Sequence, residues 1–130
     1  MSDTVLLIED NEHNRYLASF LLSQYGYEVH TAPDGPRGIQ LAVELCPDVI
    51  LLDIQLPTMD GYAVARALRQ SEKLAGVPII AVTSYAMVGD REKCLEAGCD
   101  GYIEKPIDPA TFVTEIERFR PVPPPSETEP

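Results

Sequence analysis

A run of four apolar residues that ends directly in a carboxylate constrains this chain more than any other feature. The run extends from Val49 to Leu52, and Asp53 follows it. Because every side chain in the run is apolar, it predicts a strand buried on both faces, as in a parallel sheet covered by helices. Asp53 then lies at the carboxyl end of the strand, where ligands bind in open α/β sheets. The sequence therefore predicts a functional aspartate at this position.

Similar runs occur along the chain. Val5 to Ile8 is apolar and ends in Glu9 and Asp10, and Ile79 to Val82 ends in Thr83. Two shorter strands are predicted at Glu28 to Ala32, which is more polar and suits a sheet edge, and at Gly101 to Ile103, shortly before Lys105 and Pro106.

The segments between these strands carry helical spacing and end signals. Asn11, Asp34, Asp60 and Asp108 each precede a helical pattern, as expected of residues that cap helix N-termini. Lys73 to Val77 is predicted to be a loop. The five predicted helices span residues 12–25, 35–46, 61–70, 88–97 and 109–119. The predicted inward faces of the first and second helices are Leu17, Phe20, Leu21 and Gln24, and Ile39, Ala42, Val43 and Cys46. Those of the third and fifth helices are Val64, Ala67 and Leu68, and Phe112, Val113, Ile116 and Phe119.

Five strands that alternate with five helices predict an α/β fold. The expected architecture is a flavodoxin-like, doubly wound parallel sheet with strand order 2-1-3-4-5, because crossovers between parallel strands are right-handed. We expect residues 1–120 to form this domain. Five of the ten residues from 121 to 130 are proline, which predicts a flexible, Pro-rich C-terminal tail.

The excess of acidic residues argues against one class of binding partner. The 130 residues include 21 acidic and 10 basic side chains, for a net charge of -11, which argues against nucleic-acid binding. Neither a membrane span nor a signal peptide is evident, so a cytoplasmic location is expected. Three cysteines, Cys46, Cys94 and Cys99, form no CxxC pair, and we expect them to be buried reduced thiols.

The strand ends predict a site. In a sheet of this order, the carboxyl ends bring together Glu9, Asp10, Asp53, Thr83 and Lys105. Three close carboxylates repel one another unless a cation lies among them, and carboxylate oxygens suit a hard divalent ion such as Mg2+. Such a set suits phosphoryl transfer, with Asp53 as the nucleophile that forms an aspartyl phosphate.

Five motifs in this order resemble the receiver domain of two-component response regulators, over residues 3 to 120. They are Ile8-Glu9-Asp10-Asn11, Leu52-Asp53-Ile54-Gln55-Leu56-Pro57, Met59-Asp60-Gly61, Ala81-Val82-Thr83-Ser84 and Glu104-Lys105-Pro106. Within this CheY-like family, Asn11, Gln55 and the segment from Ala86 to Asp90 are most similar to DivK-type single-domain regulators of cell polarity and division. Receiver domains of hybrid histidine kinases carry very similar motifs.

The resemblance implies a role for each matching residue. Asp53 is the expected phosphoacceptor, Asp10 a direct ligand of Mg2+, and Glu9 a ligand directly or through water. The backbone carbonyl of Gln55 is the expected third protein ligand, besides the carboxylate of Asp53. Thr83 is expected to donate a hydrogen bond to a phosphoryl oxygen.

The resemblance implies three further features. Lys105 pairs with another phosphoryl oxygen, the bond between Lys105 and Pro106 is cis, and Tyr102 is the switch aromatic. Ser84 stands where many members have alanine.

The resemblance also implies a signalling role. The phosphodonor is a histidine kinase or a histidine phosphotransfer protein, and the output is phosphorylation-dependent binding of a downstream protein. Beyond its own Mg2+-dependent phosphorylation and dephosphorylation, the chain is not expected to be an enzyme.

Four other functions are considered. A haloacid dehalogenase-type phosphohydrolase needs a second aspartate where Gln55 stands. A flavodoxin needs a phosphate-binding loop, whereas Glu9 to Glu12 would repel a flavin phosphate. The chain could also be a receiver domain excised from a hybrid histidine kinase, or a pseudo-receiver that binds partners without phosphorylation.

Overall fold

The computed structural model describes residues 3–56, 59–84 and 90–119. Its strands are β1 (Thr4–Ile8), β2 (Glu28–Ala32), β3 (Val49–Asp53), β4 (Ile79–Thr83) and β5 (Gly101–Glu104). Its α-helices are α1 (Glu12–Gln24), α2 (Gly35–Leu45), α3 (Gly61–Arg69), α4 (Asp90–Ala97) and α5 (Phe112–Glu117). The strands form one parallel sheet in the order β2-β1-β3-β4-β5. The predicted fold class and strand order are therefore confirmed.

The sheet divides the hydrophobic core into two layers. Successive side chains of a strand point to opposite faces, so the continuous apolar runs supply both layers. One layer contains Leu6, Ile8, Ile50, Leu52, Ile79 and Ala81, together with buried residues of α2, α3 and α4. The other contains Val5, Leu7, Val49, Leu51, Ile80 and Val82, together with buried residues of α1 and α5. Every residue of β3 and β4 is buried, which explains why both strands are apolar up to their last residues, Asp53 and Thr83.

The register of the strands aligns their carboxyl ends. Ile8 pairs with Leu52 across β1 and β3, and Asp53 pairs with Val82 across β3 and β4. The backbone N–H of Lys105 donates to the carbonyl of Thr83 at 2.8 Å, which continues the pairing of β5 with β4. The residues that follow β1, β3, β4 and β5 therefore meet at one edge.

Local capping fixes where three helices begin. The side chains of Asn11, Asp34 and Asp60 accept hydrogen bonds from the backbone N–H groups of Asn14, Arg37 and Tyr62 respectively, each at 2.9 Å. These contacts satisfy donors that have no partner within the helix. Three predicted caps are therefore confirmed.

The predicted inward face of α1 is correct for Leu21, which packs against the core, and wrong for Phe20 and Gln24. Ala18 and Leu22 are its buried residues, whereas Gln24 is exposed and Phe20 is 49% exposed. Phe20 instead stacks on Tyr16, with ring centroids 6.4 Å apart. A mixed apolar sequence such as this one allows two neighbouring helical stripes, and the fit against the sheet selects between them.

The prediction for the cysteines is correct for two of the three. Cys94 and Cys99 are buried, and burial raises the pKa of the Cys99 thiol to about 12. Cys46 is exposed, because it ends α2 in a left-handed conformation with φ of 48° that turns it away from the buried stripe.

Two further boundaries differ from the predictions. Within the predicted loop, Glu72–Leu74 forms a 3₁₀ helix that buries Leu74. Residues 109–111 form a turn before α5, in which the Asp108 carboxylate accepts from the N–H of Ala110 at 3.0 Å. Asp108 therefore caps this turn, and α5 begins at Phe112.

Some predictions fall outside the described residues. These are Pro57, the start of the fourth helix from Val88, most of the segment from Ala86 to Asp90, and the Pro-rich tail at 121–130. In the part of the chain that the structure describes, none of the helices has the length and apolar character needed to cross a membrane.

Candidate functional site

Polar side chains enter the core at one place. Among the described residues, the buried polar or charged ones are Glu9, Asp53 and Thr83, with 3%, 2% and 3% of their surface exposed. All three were predicted as site residues, and all three lie at the carboxyl edge of the sheet. Burying charged groups is costly unless they are paired or bind a cation, so this concentration at one edge indicates a functional site.

Lys105 pairs with two of the buried carboxylates. Its Nζ lies 3.0 Å from Oε1 of Glu9 and 3.3 Å from Oδ2 of Asp53. Both contacts are nearly closed to solvent, so they are screened less than surface ion pairs. The ammonium therefore offsets part of the repulsion between the two carboxylates, and its position at the end of β5 agrees with the prediction.

The acidic residues are arranged as a metal site requires. One carboxylate oxygen from each of Glu9, Asp10 and Asp53 lies within 4.8 Å of the others. Asp10 is exposed while the other two are buried. Three convergent hard oxygens with one side open to water suit Mg2+, which usually keeps several of its water ligands. The donor set therefore fits the predicted cation.

The pKa of Asp53 is raised above its ordinary value. Burial is the largest cause, and the neighbouring Glu9 carboxylate acts in the same direction. The backbone N–H of Gln55, which donates to Oδ1 of Asp53 at 2.9 Å, and the charge of Lys105 both oppose the rise. A divalent cation beside Asp53 would favour the charged form and so would lower this pKa.

The carboxylates of Glu9 and Asp10 differ in their contacts with the rest of the protein. Oε1 of Glu9 faces Lys105, and Oε2 accepts from the N–H of Asn11 at 3.2 Å. Both oxygens of Glu9 therefore already have protein partners, whereas the Asp10 carboxylate is exposed to solvent. The carboxylate of Asp10 is thus the one more open to an ion, while the direct role of Asp10 and the role of Glu9, directly or through water, stay predictions.

The loop after β3 is held close to the site. The N–H of Gly61 donates to the carbonyl of Ile54 at 3.1 Å, and a Cβ on Gly61 would collide with the backbone of Ile54. Only glycine allows this approach, so the chain can turn back directly after Asp53. The side chain of Gln55 also accepts from the N–H of Ser84 at 3.2 Å. This link between two loops of the site was not predicted.

Thr83 and Tyr102 lie on neighbouring strands. Thr83 ends β4 and is buried, whereas Tyr102 in β5 is half-buried and packs against the core layer that contains Cys94. Burial raises the pKa of Tyr102. Its ring also borders a surface cavity of about 530 Å³ that is lined by α4, β5 and α5. Tyr102 is therefore placed between the core and a surface.

Sequence reasoning missed Arg15. This residue lies in α1, and its Nη1 donates to the backbone carbonyls of Glu9 at 2.9 Å and Asp10 at 3.0 Å. The available signal was a basic residue one helical turn after the acidic pair and its cap. A side chain at that spacing can reach back over the helix start.

Comparisons with known proteins agree with the site. The chain matches the response regulator receiver domain family over residues 5–117. It is 41% identical over 119 residues to the polar-differentiation response regulator DivK of Brucella ovis. The matched segment covers 92% of this chain and 97% of that protein. The DivK of Brucella anthropi is 40% identical over the same share of each chain. The resemblance inferred from the residues is thereby confirmed.

Solved structures give the same result. The chain is 38% identical to the receiver domain of sensor histidine kinase PA1611 from Pseudomonas aeruginosa, with a TM-score of 0.84 over 92% of this chain and 98% of that one. That structure has a magnesium ion coordinated in its active site cleft. The chemotaxis protein CheY4 of Vibrio cholerae is 28% identical, with a TM-score of 0.88 over 92% and 99%. The chain belongs to the family of response regulator receiver domains.

Proposed function

We propose that this chain is a response regulator that accepts one phosphoryl group on Asp53 from a phosphohistidine of a kinase or phosphotransfer protein. The observation that carries the proposal is the position of Asp53: it is buried at a strand end, 3.3 Å from Lys105 and within 4.8 Å of two other carboxylates. A carboxylate in that setting has a cation on one side and room for a divalent ion on the other.

In the transfer step, a carboxylate oxygen of Asp53 attacks the phosphorus of the phosphohistidine. A new O–P bond forms the acyl phosphate while the P–N bond breaks, and the departing imidazole nitrogen takes a proton from solvent. Lys105 stays beside Asp53 and pairs with a phosphoryl oxygen, so the developing negative charge has a partner throughout. The hydroxyl of Thr83 donates to another phosphoryl oxygen.

Four groups would hold the cation. These are the carboxylates of Asp10 and Asp53, the backbone carbonyl of Gln55, and Glu9 directly or through water. When bound, Mg2+ supplies positive charge that neutralises the carboxylates and the phosphoryl oxygens. Support for this ion comes from the donor set and from the magnesium in the cleft of the Pseudomonas receiver domain.

Phosphorylation of Asp53 then changes the surface of the protein. Phosphorylation adds negative charge and acceptor oxygens next to Thr83 and Lys105, and the altered surface near Tyr102 binds a downstream protein. The chain then has no catalytic activity beyond its own phosphorylation and dephosphorylation. The proposed role is in cell-cycle or polarity control in the cytoplasm, and the similarity to the polar-differentiation response regulator DivK supports the polarity part of it.

Incubation with a small phosphodonor and Mg2+ tests this function by intact mass. The wild-type protein is expected to gain one phosphoryl group, and Asp53→Asn none. Asp34→Asn is the matched control, because it makes the same change of side chain at the cap of α2, outside the acidic cluster. Equal labelling of wild type and Asp53→Asn would refute the assignment.

Phosphotransfer and binding measurements test two alternatives. The first is a receiver domain excised from a hybrid histidine kinase, which is supported by the 38% identity to the receiver domain of a sensor histidine kinase. Such a domain would exchange its phosphoryl group fastest with a histidine phosphotransfer protein. A pseudo-receiver would bind its partner equally well whether or not Asp53 is intact, and would not be labelled.

A further inference from the structure

Arg15 holds the backbone that carries two predicted metal ligands. A single guanidinium nitrogen, Nη1, donates to the carbonyl oxygens of both Glu9 and Asp10, at 2.9 and 3.0 Å. The position of Arg15 is fixed from the other side, because its own N–H donates to the carbonyl of Asn11 at 2.9 Å. The capped start of α1 therefore places this side chain over the acidic turn.

The two ligands depend on this contact to different extents. Glu9 is held at its N–H by the carbonyl of Ala32, at Oε1 by Lys105 and at Oε2 by the N–H of Asn11. The Asp10 carboxylate is exposed, so the contact with Arg15 restrains it only through the backbone. Loss of Arg15 would thus affect Asp10 more than Glu9.

Two physical effects follow from the contact. Neighbouring carbonyl dipoles that converge on one point repel each other unless a donor lies between them, and Nη1 supplies two N–H groups there. The guanidinium also keeps its positive charge, so its hydrogen bonds to the two carbonyls are charge-assisted and therefore stronger than those of a neutral donor. Both effects favour a preformed acidic turn before any cation arrives.

We propose that Arg15 is a positioning residue for the divalent cation, which keeps Asp10 in place for binding by holding the carbonyls of Glu9 and Asp10. The proposal rests on the proposed function in one respect, since it assumes that the acidic cluster binds Mg2+. Arg15 touches neither the cation nor the phosphoryl group. Arg15 keeps the turn at Glu9 and Asp10 in one conformation. This should raise the affinity for the cation, and should leave the rate of phosphoryl transfer unchanged once the ion is bound.

Calorimetric titration with Mg2+ measures the predicted effect. Arg15→Met removes the donors while keeping a long side chain, and is expected to raise the dissociation constant for Mg2+ by about tenfold or more, the usual cost of losing a group that orients a metal ligand. Arg15→Lys should recover most of the affinity, because an ammonium also offers several donors from one nitrogen. Arg37→Met removes an equal charge from an exposed site at the start of α2 and should bind Mg2+ like wild type.

Two readouts separate positioning from a merely structural role. At saturating Mg2+, the labelling rate of Arg15→Met should return close to that of wild type, whereas a damaged site would stay slow. In an Asp10→Asn background, Arg15→Met should have little further effect on Mg2+ affinity, because the two residues act through the same ligand. If Arg15→Met does not fold, Arg15→Gln replaces it in the same comparisons.

The outcomes distinguish this proposal from the proposed function. Equal Mg2+ affinity of Arg15→Met and Arg37→Met would overturn the role of Arg15, even if Asp53→Asn abolishes labelling. Labelling of Asp53→Asn would overturn the phosphoacceptor, while a weakened affinity of Arg15→Met would still support Arg15. Failure of the wild-type protein to bind Mg2+ would overturn the Arg15 proposal directly.

Discussion

Lys105 and Asp53 form an ion pair of 3.3 Å in which the two side chains are only 12% and 3% exposed. The same ammonium lies 3.0 Å from Glu9, so one positive charge serves two buried negative charges. With Asp10 included, the site carries three carboxylates and one amine, an excess of negative charge. This imbalance underlies the following predictions on stability, pH and cation binding.

Lys105→Met should uncouple cation binding from phosphoryl transfer. Without Mg2+ the variant loses the ammonium that contacts both buried carboxylates, and is expected to be destabilised by about 3 kcal/mol at neutral pH, as when one partner of a buried ion pair is removed. Mg2+ should still bind, since the acidic cluster is intact, and should restore part of the stability. Labelling of Asp53 should be slower even at saturating Mg2+.

Urea unfolding with and without Mg2+, and the labelling rate, check this prediction. Lys93→Met is the control, because Lys93 lies exposed on α4 away from the acidic cluster. Normal labelling by Lys105→Met would show that the amine has no part in the transfer.

The raised pKa of Asp53 predicts how stability depends on pH. The folded-state pKa lies above the ordinary value of 3.8, so the folded protein holds this proton more tightly than the unfolded chain does. The stabilising contribution is fully present below the unfolded pKa and is lost as the pH rises through the folded pKa. Each pKa unit of difference corresponds to about 1.4 kcal/mol.

Asp53→Asn removes this titration and should therefore be more stable than wild type at neutral pH in the absence of divalent ions. The difference should shrink as the pH falls below the ordinary value of 3.8, where the wild-type carboxyl becomes protonated in both states. Denaturant unfolding across this range in a chelating buffer checks it, with the exposed Glu44→Gln as a control of equal charge change. A less stable Asp53→Asn at neutral pH would contradict the raised pKa.

Mg2+ should stabilise the wild-type protein, because it binds the folded acidic cluster and relieves repulsion there. A ligand at a hundredfold its dissociation constant adds about 2.7 kcal/mol to the free energy of unfolding. Asp10→Asn should remove most of this gain. Melting temperatures in a Mg2+ titration measure it, and a wild-type melting temperature that does not respond to millimolar Mg2+ would count against the cation site.

Thr83→Ala should separate phosphorylation from its structural consequence. Thr83 is buried at the end of β4, and its neighbour Ser84 is tied through its N–H to the side chain of Gln55. We expect labelling of Asp53 to persist, while amide chemical-shift changes at Tyr102 and in α4 become weaker. Beryllofluoride, which stands in for the phosphoryl group on Asp53, gives a stable complex for this measurement.

Thr114→Ala, on the exposed side of α5, is the matched control. In the wild-type protein the shift changes should reach Tyr102. Changes confined to the immediate surroundings of Asp53 in wild type would show that Thr83 and Tyr102 do not relay the signal.

The fold could be predicted from the sequence because the evidence for it is local. Strands buried on both faces must be apolar throughout, as Ile50 and Ile80 illustrate, and caps such as Asn11 act within three residues. The conformation of Cys46 could not be predicted, since a left-handed residue at a helix end depends on how the chain leaves the helix. The face of α1 likewise depends on its fit to the sheet.

In the candidate site, too, some features could be predicted from the sequence and others could not. Side chains at a strand end, such as Asp53 in β3 and Lys105 directly after β5, are placed by the strand register, so their meeting follows from the strand order. Arg15 and the side chain of Gln55 reach backbone groups of other segments. The spacing along α1 indicates that Arg15 can reach back over the helix start, but the backbone groups that these side chains contact depend on the path of each turn and on side-chain conformation.

The position of the phosphoryl group tests the account most directly. Reduction of the labelled protein with borohydride converts an aspartyl phosphate to homoserine, and peptide mass mapping then identifies the modified residue. We predict homoserine at position 53 alone, formed only when Mg2+ is present. Modification of Asp10 or Glu9 instead, with Asp53 unchanged, would contradict the assignment of Asp53 as the phosphoacceptor.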